Sequence, residues 1–121
     1  MSPRLAFAVE AAYEAGRSTL ALFQNQAHVD YKEDESPVTE ADRHAEALIR
    51  NRIEETYPRE AIWGEEGGET SSTDTRWLID PIDGTKSFIC GVPIYATLVS
   101  YEVENEAIVA AAYFPALDWM L

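Results

Sequence analysis

Four carboxylates fall where the chain turns. Glu65 and Glu66 follow Gly64, and Asp80 and Asp83 flank Pro81-Ile82 just ahead of Gly84-Thr85. In Asp80-Pro81-Ile82-Asp83-Gly84-Thr85 the proline fixes one backbone angle and the glycine permits a tight turn. Such a turn could bring both aspartates and the carbonyl of Ile82 toward one point. Oxygen-only donors of this kind suit Mg²⁺, which takes a few carboxylates and keeps several waters. Like charges held this close need a cation to be tolerable. Downstream, Thr85 reads as the N-cap of a short helix, Lys86 to Cys90, with Gly91 as its stop. A helix N-terminus beside a cation is a favourable place for a phosphate. Carboxylates, metal and helix N-terminus are together the parts needed for metal-assisted phosphoryl hydrolysis.

Each piece also has an ordinary structural role. Asp-Pro-x-Asp-Gly makes a plain turn, and Glu65-Glu66 between glycines makes a solvated loop. Asp42 reads either as the partner of Thr39 in a capping box or as a site residue. Lys32 lies in a charged run and reads as solvated. His28 and His44 have no spaced partner and read as surface residues. Cys90 reads as a small buried hydrophobe, and Trp63, Trp77 and Trp119 as core. The residues alone thus give an α+β domain with a candidate divalent-metal site.

The elements that must position these residues are legible in the apolar spacing. Leu5, Ala8, Val9, Ala12, Gly16, Leu20 and Phe23 follow helical periodicity. His28 to Pro37 reads as a short extended piece and a turn. A second helix fits Thr39 to Thr56, with the stripe Ala41, Ala45, Leu48, Ile49 and Ile53 and with Pro58 beyond its end. Ala61-Ile62-Trp63 reads as a strand, and Thr70 to Thr75 as a surface loop. Arg76 to Ile79 reads as a strand that stops at Asp80-Pro81, because proline cannot donate to a central ladder. Tyr95 to Val103 and Ala107 to Phe114 read as an antiparallel hairpin. Two helices followed by strands point to α+β.

Composition narrows the classes of function. The chain has 121 residues, 22 acidic against 9 basic, for a net charge of −13. That balance argues against nucleic acid or an anionic membrane surface as a partner. The hydrophobic fraction of 46 % and aromatic fraction of 11 % argue against a disordered acidic tail. One cysteine cannot form an internal disulfide. No signal peptide or membrane-spanning run is evident, so a cytoplasmic location is expected. Between Asp30 and Asp83 there are 16 acidic and 6 basic residues. Divalent cations bound within that stretch would reverse the local sign and admit a phosphate.

The stretch Trp77-Leu78-Ile79-Asp80-Pro81-Ile82-Asp83-Gly84-Thr85-Lys86-Ser87-Phe88 resembles the signature of the inositol monophosphatase family, Mg²⁺-dependent and typically lithium-sensitive phosphomonoesterases. Ser36-Pro37-Val38-Thr39-Glu40-Ala41-Asp42 resembles the segment that opens the family's second helix, and Gly64-Glu65-Glu66 its metal-binding loop. The resemblance implies that Glu65, Asp80 and Asp83 are metal ligands, with the Ile82 carbonyl completing part of the shell around two or three Mg²⁺ ions. It implies that Thr85 and Glu65 orient the attacking water and that Gly84 and Thr85 hold the phosphate through their backbone N–H groups. Asp83 and Lys32 would also stand at the substrate, and Asp42 would act through metal-bound water. The reaction implied is in-line attack by a metal-activated water on a phosphate monoester. Lys86-Ser87, Gly91-Val92-Pro93 and Tyr113-Phe114-Pro115-Ala116-Leu117 look more like the histidinol-phosphatase branch. Inositol phosphates and sugar or nucleotide phosphates stay open as substrates.

The family's layered αβαβα sandwich needs about twice this much chain. Residues 1–121 are therefore expected to form its N-terminal, metal-binding portion, two helices followed by a mainly antiparallel sheet. The second half normally brings a Trp-Asp motif, which Asp118-Trp119 reverses. A fragment of a longer protein, one piece of a split enzyme and a truncated, non-catalytic metal-binding or interaction module are the three readings, and the fragment is favoured. A complementary C-terminal half and a homodimer are the partners expected of the complete fold.

Overall fold

The computed structural model describes residues 2–21, 23, 29–31, 37–64, 68–69 and 74–121. His28, Lys32, Glu65, Glu66 and the turn between residues 31 and 37 lie outside them. Helix α1 (Pro3–Thr19) starts where Ser2 accepts the N–H of Leu5 through its side chain at 3.1 Å, with Pro3 in the first turn. Its inner face is made of Phe7 and small residues, Ala8, Ala11, Ala12, Ala15 and Gly16. Strands β1 (Val29–Tyr31) and β2 (Pro37–Thr39) pair antiparallel by themselves. Helix α2 (Glu40–Thr56) follows at once, burying Ala41, Ala45, Ile49 and Ile53 at helical spacing. Its buried face also carries two acids, Asp42 and Glu46.

The described residues that follow build a mixed six-stranded sheet. Its strands are β3 (Ala61–Gly64), β4 (Gly68–Glu69), β5 (Thr75–Asp83), β6 (Ala96–Val103), β7 (Glu106–Phe114) and β8 (Trp119–Met120), in spatial order β4-β3-β5-β6-β7-β8. Among the described residues only β3 and β5 run parallel; the other pairs are antiparallel, as the mainly antiparallel expectation required. A short helix α3 (Thr85–Ile89) sits between β5 and β6. The β6–β7 turn uses Glu104 and Asn105, both at positive φ (52° and 67°), the left-handed geometry that suits a two-residue hairpin.

Both long helices cover one face of the sheet, α1 over β6 and β7 and α2 over β5. The core there centres on Trp77, fully buried, with ring centroids of Phe7, Tyr57 and Tyr101 at 5.1, 5.6 and 5.0 Å. A second cluster, Ala41, Ile82, Phe88 and Tyr95, packs with Phe23 beneath the start of α3. The side chains that alternate with this core, Leu98 and Ser100 on β6 and Ala110 and Ala112 on β7, line a shallow apolar groove with Leu121. No helix of the described residues is long and apolar enough to cross a membrane.

Five expectations are corrected. Strand β5 does not stop at Asp80-Pro81 but continues to Asp83, through a register shift between those two aspartates. Pro81 is tolerated because it falls inside that shift, where no ladder N–H is required. Gly84, not Thr85, is the N-cap of α3. Cys90 is exposed, because α3 is one short helix with only Phe88 turned into the core. Trp119 is 55 % exposed at the sheet margin, packed against Phe114 at 5.8 Å, and Trp63 is half-buried, leaving Trp77 as the core tryptophan.

Candidate functional site

The site grows from the irregularity in β5. Burial alternates along Trp77, Ile79 and Pro81, then Ile82 is buried as well. On β6 the partners of Asp80 and Asp83 are Leu98 and Ala96, so three steps along β5 oppose two along β6. That one-residue bulge reverses the phase of the strand. In an unbroken strand, residues three apart point to opposite faces. The bulge instead leaves Asp80, half-buried, and Asp83, exposed, on the same less-buried side of the chain. Thr97, fully buried on β6, donates its hydroxyl to the Pro81 carbonyl at 2.7 Å and braces the bulge. Sequence reading missed Thr97, since a threonine in an apolar strand carries no signal of what it bonds.

Gly84 follows with φ +92°, a conformation disfavoured for any residue with a Cβ. There is space for that atom, the nearest neighbour being the Ile94 carbonyl at 3.4 Å, so the backbone angle rather than crowding asks for glycine. Its carbonyl accepts the N–H of Phe88 at 3.0 Å, starting α3. Thr85 therefore has its hydroxyl free for another task. It donates to Asp42 Oδ1 at 3.1 Å, with the Ile82 carbonyl as the alternative acceptor at 3.2 Å.

Asp42 is fully buried in the first turn of α2, where the positive end of the helix favours a carboxylate. The residues meeting here come from α2, the end of β5 and the start of α3. Behind them Tyr95 is fully buried and meets Thr19 Oγ1 at 2.8 Å. Burial pushes its hydroxyl above the ordinary phenol pKa, so it is neutral and acts as packing.

Of the sequence-derived site residues, Asp42, Ile82 and Thr85 are joined by hydrogen bonds, and Asp80, Asp83 and Gly84 adjoin them along the backbone. Glu65 and Lys32 are outside the described residues. Among the described residues, no three His, Cys, Asp or Glu side chains form a group able to hold a metal. The donors that are described fit Mg²⁺ in chemistry, two aspartates and a backbone carbonyl, all hard oxygens. The set without Glu65 is short of a complete shell.

A histidinol-phosphatase from Chlorobaculum parvum is 47 % identical over 119 residues, covering 97 % of this chain and 46 % of its own length. Among solved structures, an IMPase from Thermotoga maritima superimposes with a TM-score of 0.92 at 31 % identity, covering 99 % of this chain and 47 % of that one. The suhB protein of Bartonella henselae superimposes with a TM-score of 0.90 at 29 % identity, over 98 % and 48 %. The chain thus spans about half the length of the relatives it matches. The family model for inositol monophosphatases matches residues 1–121 in full, and the chain belongs to the inositol monophosphatase family.

Proposed function

We propose that these residues are the cation- and phosphate-holding portion of a Mg²⁺-dependent, lithium-sensitive phosphomonoesterase acting on a small phosphorylated metabolite. The observation that carries this reading is the hydrogen bond from Thr85 to the buried Asp42. With its proton committed to Asp42 or to the Ile82 carbonyl, the Thr85 oxygen keeps its lone pairs for a water O–H. Asp42 thereby sets the direction in which Thr85 can accept. A water so held lies over the Asp80–Gly84 turn, where the phosphate is expected.

Glu65, Asp80, Asp83 and the Ile82 carbonyl would hold the Mg²⁺, two or three ions in the complete site. The metal, when bound, supplies the positive charge that lowers the pKa of water and offsets the phosphate. The chain's own residues orient and balance charge. Asp83 and the N–H groups of Gly84 and Thr85 face the phosphate, Lys32 adds a cation, and Thr85 positions the water with Glu65. The phosphate of histidinol is the first substrate to test, in view of the 47 % identity to a histidinol-phosphatase; inositol phosphate is the second. The apolar groove along β6 and β7 supports a longer protein whose remaining half packs on that face. Such a protein would be cytoplasmic and homodimeric.

The test is phosphate release from histidinol phosphate and inositol phosphate by the protein as its natural gene encodes it. Release that is abolished by chelation and restored by Mg²⁺ supports the reading. Mg²⁺ or Mn²⁺ binding without turnover, even with a complementary C-terminal half supplied, favours instead a truncated, non-catalytic relative.

A further inference from the structure

A buried tyrosine joins the elements of the candidate site beyond its part in packing. Ala41, Ile82, Phe88 and Tyr95 form one buried cluster, and each comes from a different part of the chain. Ala41 on α2 precedes Asp42, and Ile82 on β5 precedes Asp83. Phe88 on α3 gives its N–H to the Gly84 carbonyl at 3.0 Å. Tyr95 leads into β6 just before Ala96, the ladder partner of Asp83. Its ring is fully buried and meets those of Phe88 and Phe23 at 5.0 and 5.1 Å between centroids. Its hydroxyl reaches Oγ1 of Thr19, also fully buried, at 2.8 Å. Thr19 gives its single proton to the Gly16 carbonyl at 2.6 Å, so the tyrosine is the donor. The bond ties α1, which carries none of the proposed site residues, to the cluster beneath them.

A buried hydrogen bond adds little net stability over two apolar groups of the same shape. What it adds is position: an apolar ring can slide along its own plane, whereas a donor must meet its acceptor at one distance and direction. We infer that Tyr95, held by Thr19, is a positioning residue, which fixes the cluster on which Asp42, Asp83 and Thr85 stand relative to one another. The inference rests on the reading of those three as site residues of a metal-dependent phosphatase. A misplacement of about 1 Å at a reacting group can cost about 100-fold in rate, so a small slip of this ring is enough to register.

The test uses Tyr95→Phe, the double variant Tyr95→Phe/Thr19→Val and the conservative Thr19→Ser, in the protein as its natural gene encodes it. The double variant removes both partners at nearly constant shape, so its Tm is expected to stay near that of the wild type. Both variants that lack the phenol hydroxyl are nevertheless expected to lose about tenfold in kcat for phosphate release and in Mn²⁺ affinity. In the metal-free protein, amide exchange is expected to quicken at Phe88 and Cys90, whose N–H groups hold α3 together, and to stay unchanged in the β6–β7 hairpin. Thr19→Ser, which keeps the accepting oxygen, should match the wild type throughout. Both kcat and Mn²⁺ affinity close to wild type in the double variant overturn the inference. So does a loss in Tyr95→Phe that the double variant restores, since that loss would track stability alone. If the double variant does not fold, Tyr95→Phe decides by the same measurements. A wild-type protein that neither binds Mn²⁺ nor releases phosphate contradicts the proposed function instead, and exchange at Phe88 and Cys90 then decides the positioning claim by itself.

Discussion

Thr85 donates its hydroxyl to the buried carboxylate of Asp42 at 3.1 Å, across 43 residues of sequence. The contact ties the start of α3 to the first turn of α2 directly above the bulge in β5. It also fixes the chemical character of Thr85, which is left as an acceptor toward solvent.

Removing either member should separate catalysis from folding. Thr85→Val and Asp42→Asn are expected to lower kcat for phosphate release by about 100-fold or more, within the range for a lost proton-handling group. Thr85→Ser, which keeps the hydroxyl, should retain most of the activity. Steady-state kinetics beside circular dichroism checks this; activity kept by Val and lost by Ser would show that packing by the methyl group, not the hydroxyl, matters.

Thr97 should matter for the bulge. Thr97→Val preserves shape but leaves the Pro81 carbonyl without its donor. A buried acceptor left unpaired costs about 1–3 kcal/mol, so urea unfolding should show a loss in that range. An unchanged midpoint would mean that the bulge does not depend on this bond.

Gly16 sits where α1 crosses β7. A Cβ there would meet Tyr113 Cδ2 at 2.6 Å, Pro115 Cγ at 3.0 Å and Thr97 Oγ1 at 3.2 Å. Alanine gains about 1 kcal/mol of helix propensity, yet overpacking costs about 1–3 kcal/mol, and all three neighbours are ring or buried groups. Gly16→Ala is therefore expected to lower Tm; a raised Tm would show that α1 can slide outward at no cost.

Tyr113 gives a pH dependence. Burial, then its 2.6 Å hydrogen bond to the Asp118 carboxylate, push its pKa up to about 12. A folded-state pKa above the unfolded value of about 10 contributes stability that is whole below pH 10 and is lost as pH rises toward 12. Tyr113→Phe should flatten the decline of unfolding free energy between pH 10 and 12, whatever it does at pH 7. An unchanged slope in alkaline denaturation would contradict the shift.

The helices and the hairpin were legible because their apolar residues repeat at the right period, as at Ala41, Ala45, Ile49 and Ile53. The carboxylate turn was legible because Asp, Pro and Gly each restrict the backbone. What spacing could not show was set by partners distant in sequence. Pro81 stays inside β5 because a bulge spares it a ladder bond, and Thr97, sixteen residues on, takes its carbonyl. The same holds for Glu46, a buried acid on an apolar stripe, which pairs with Arg50 at 3.0 Å. Trp119 and Cys90 were misjudged because hydrophobic type says little about position at a sheet margin or on a five-residue helix.

The most direct test of the metal-site claim is Asp83→Asn in the protein as its natural gene encodes it, assayed for Mg²⁺-dependent phosphate release from histidinol phosphate and for Mn²⁺ affinity. Asp83 is exposed at the end of β5 and its substitution should not disturb the fold. The account predicts loss of Mg²⁺-dependent release together with weaker Mn²⁺ binding and an unchanged Tm in the absence of metal. Undiminished Mg²⁺-dependent release by the variant would contradict it.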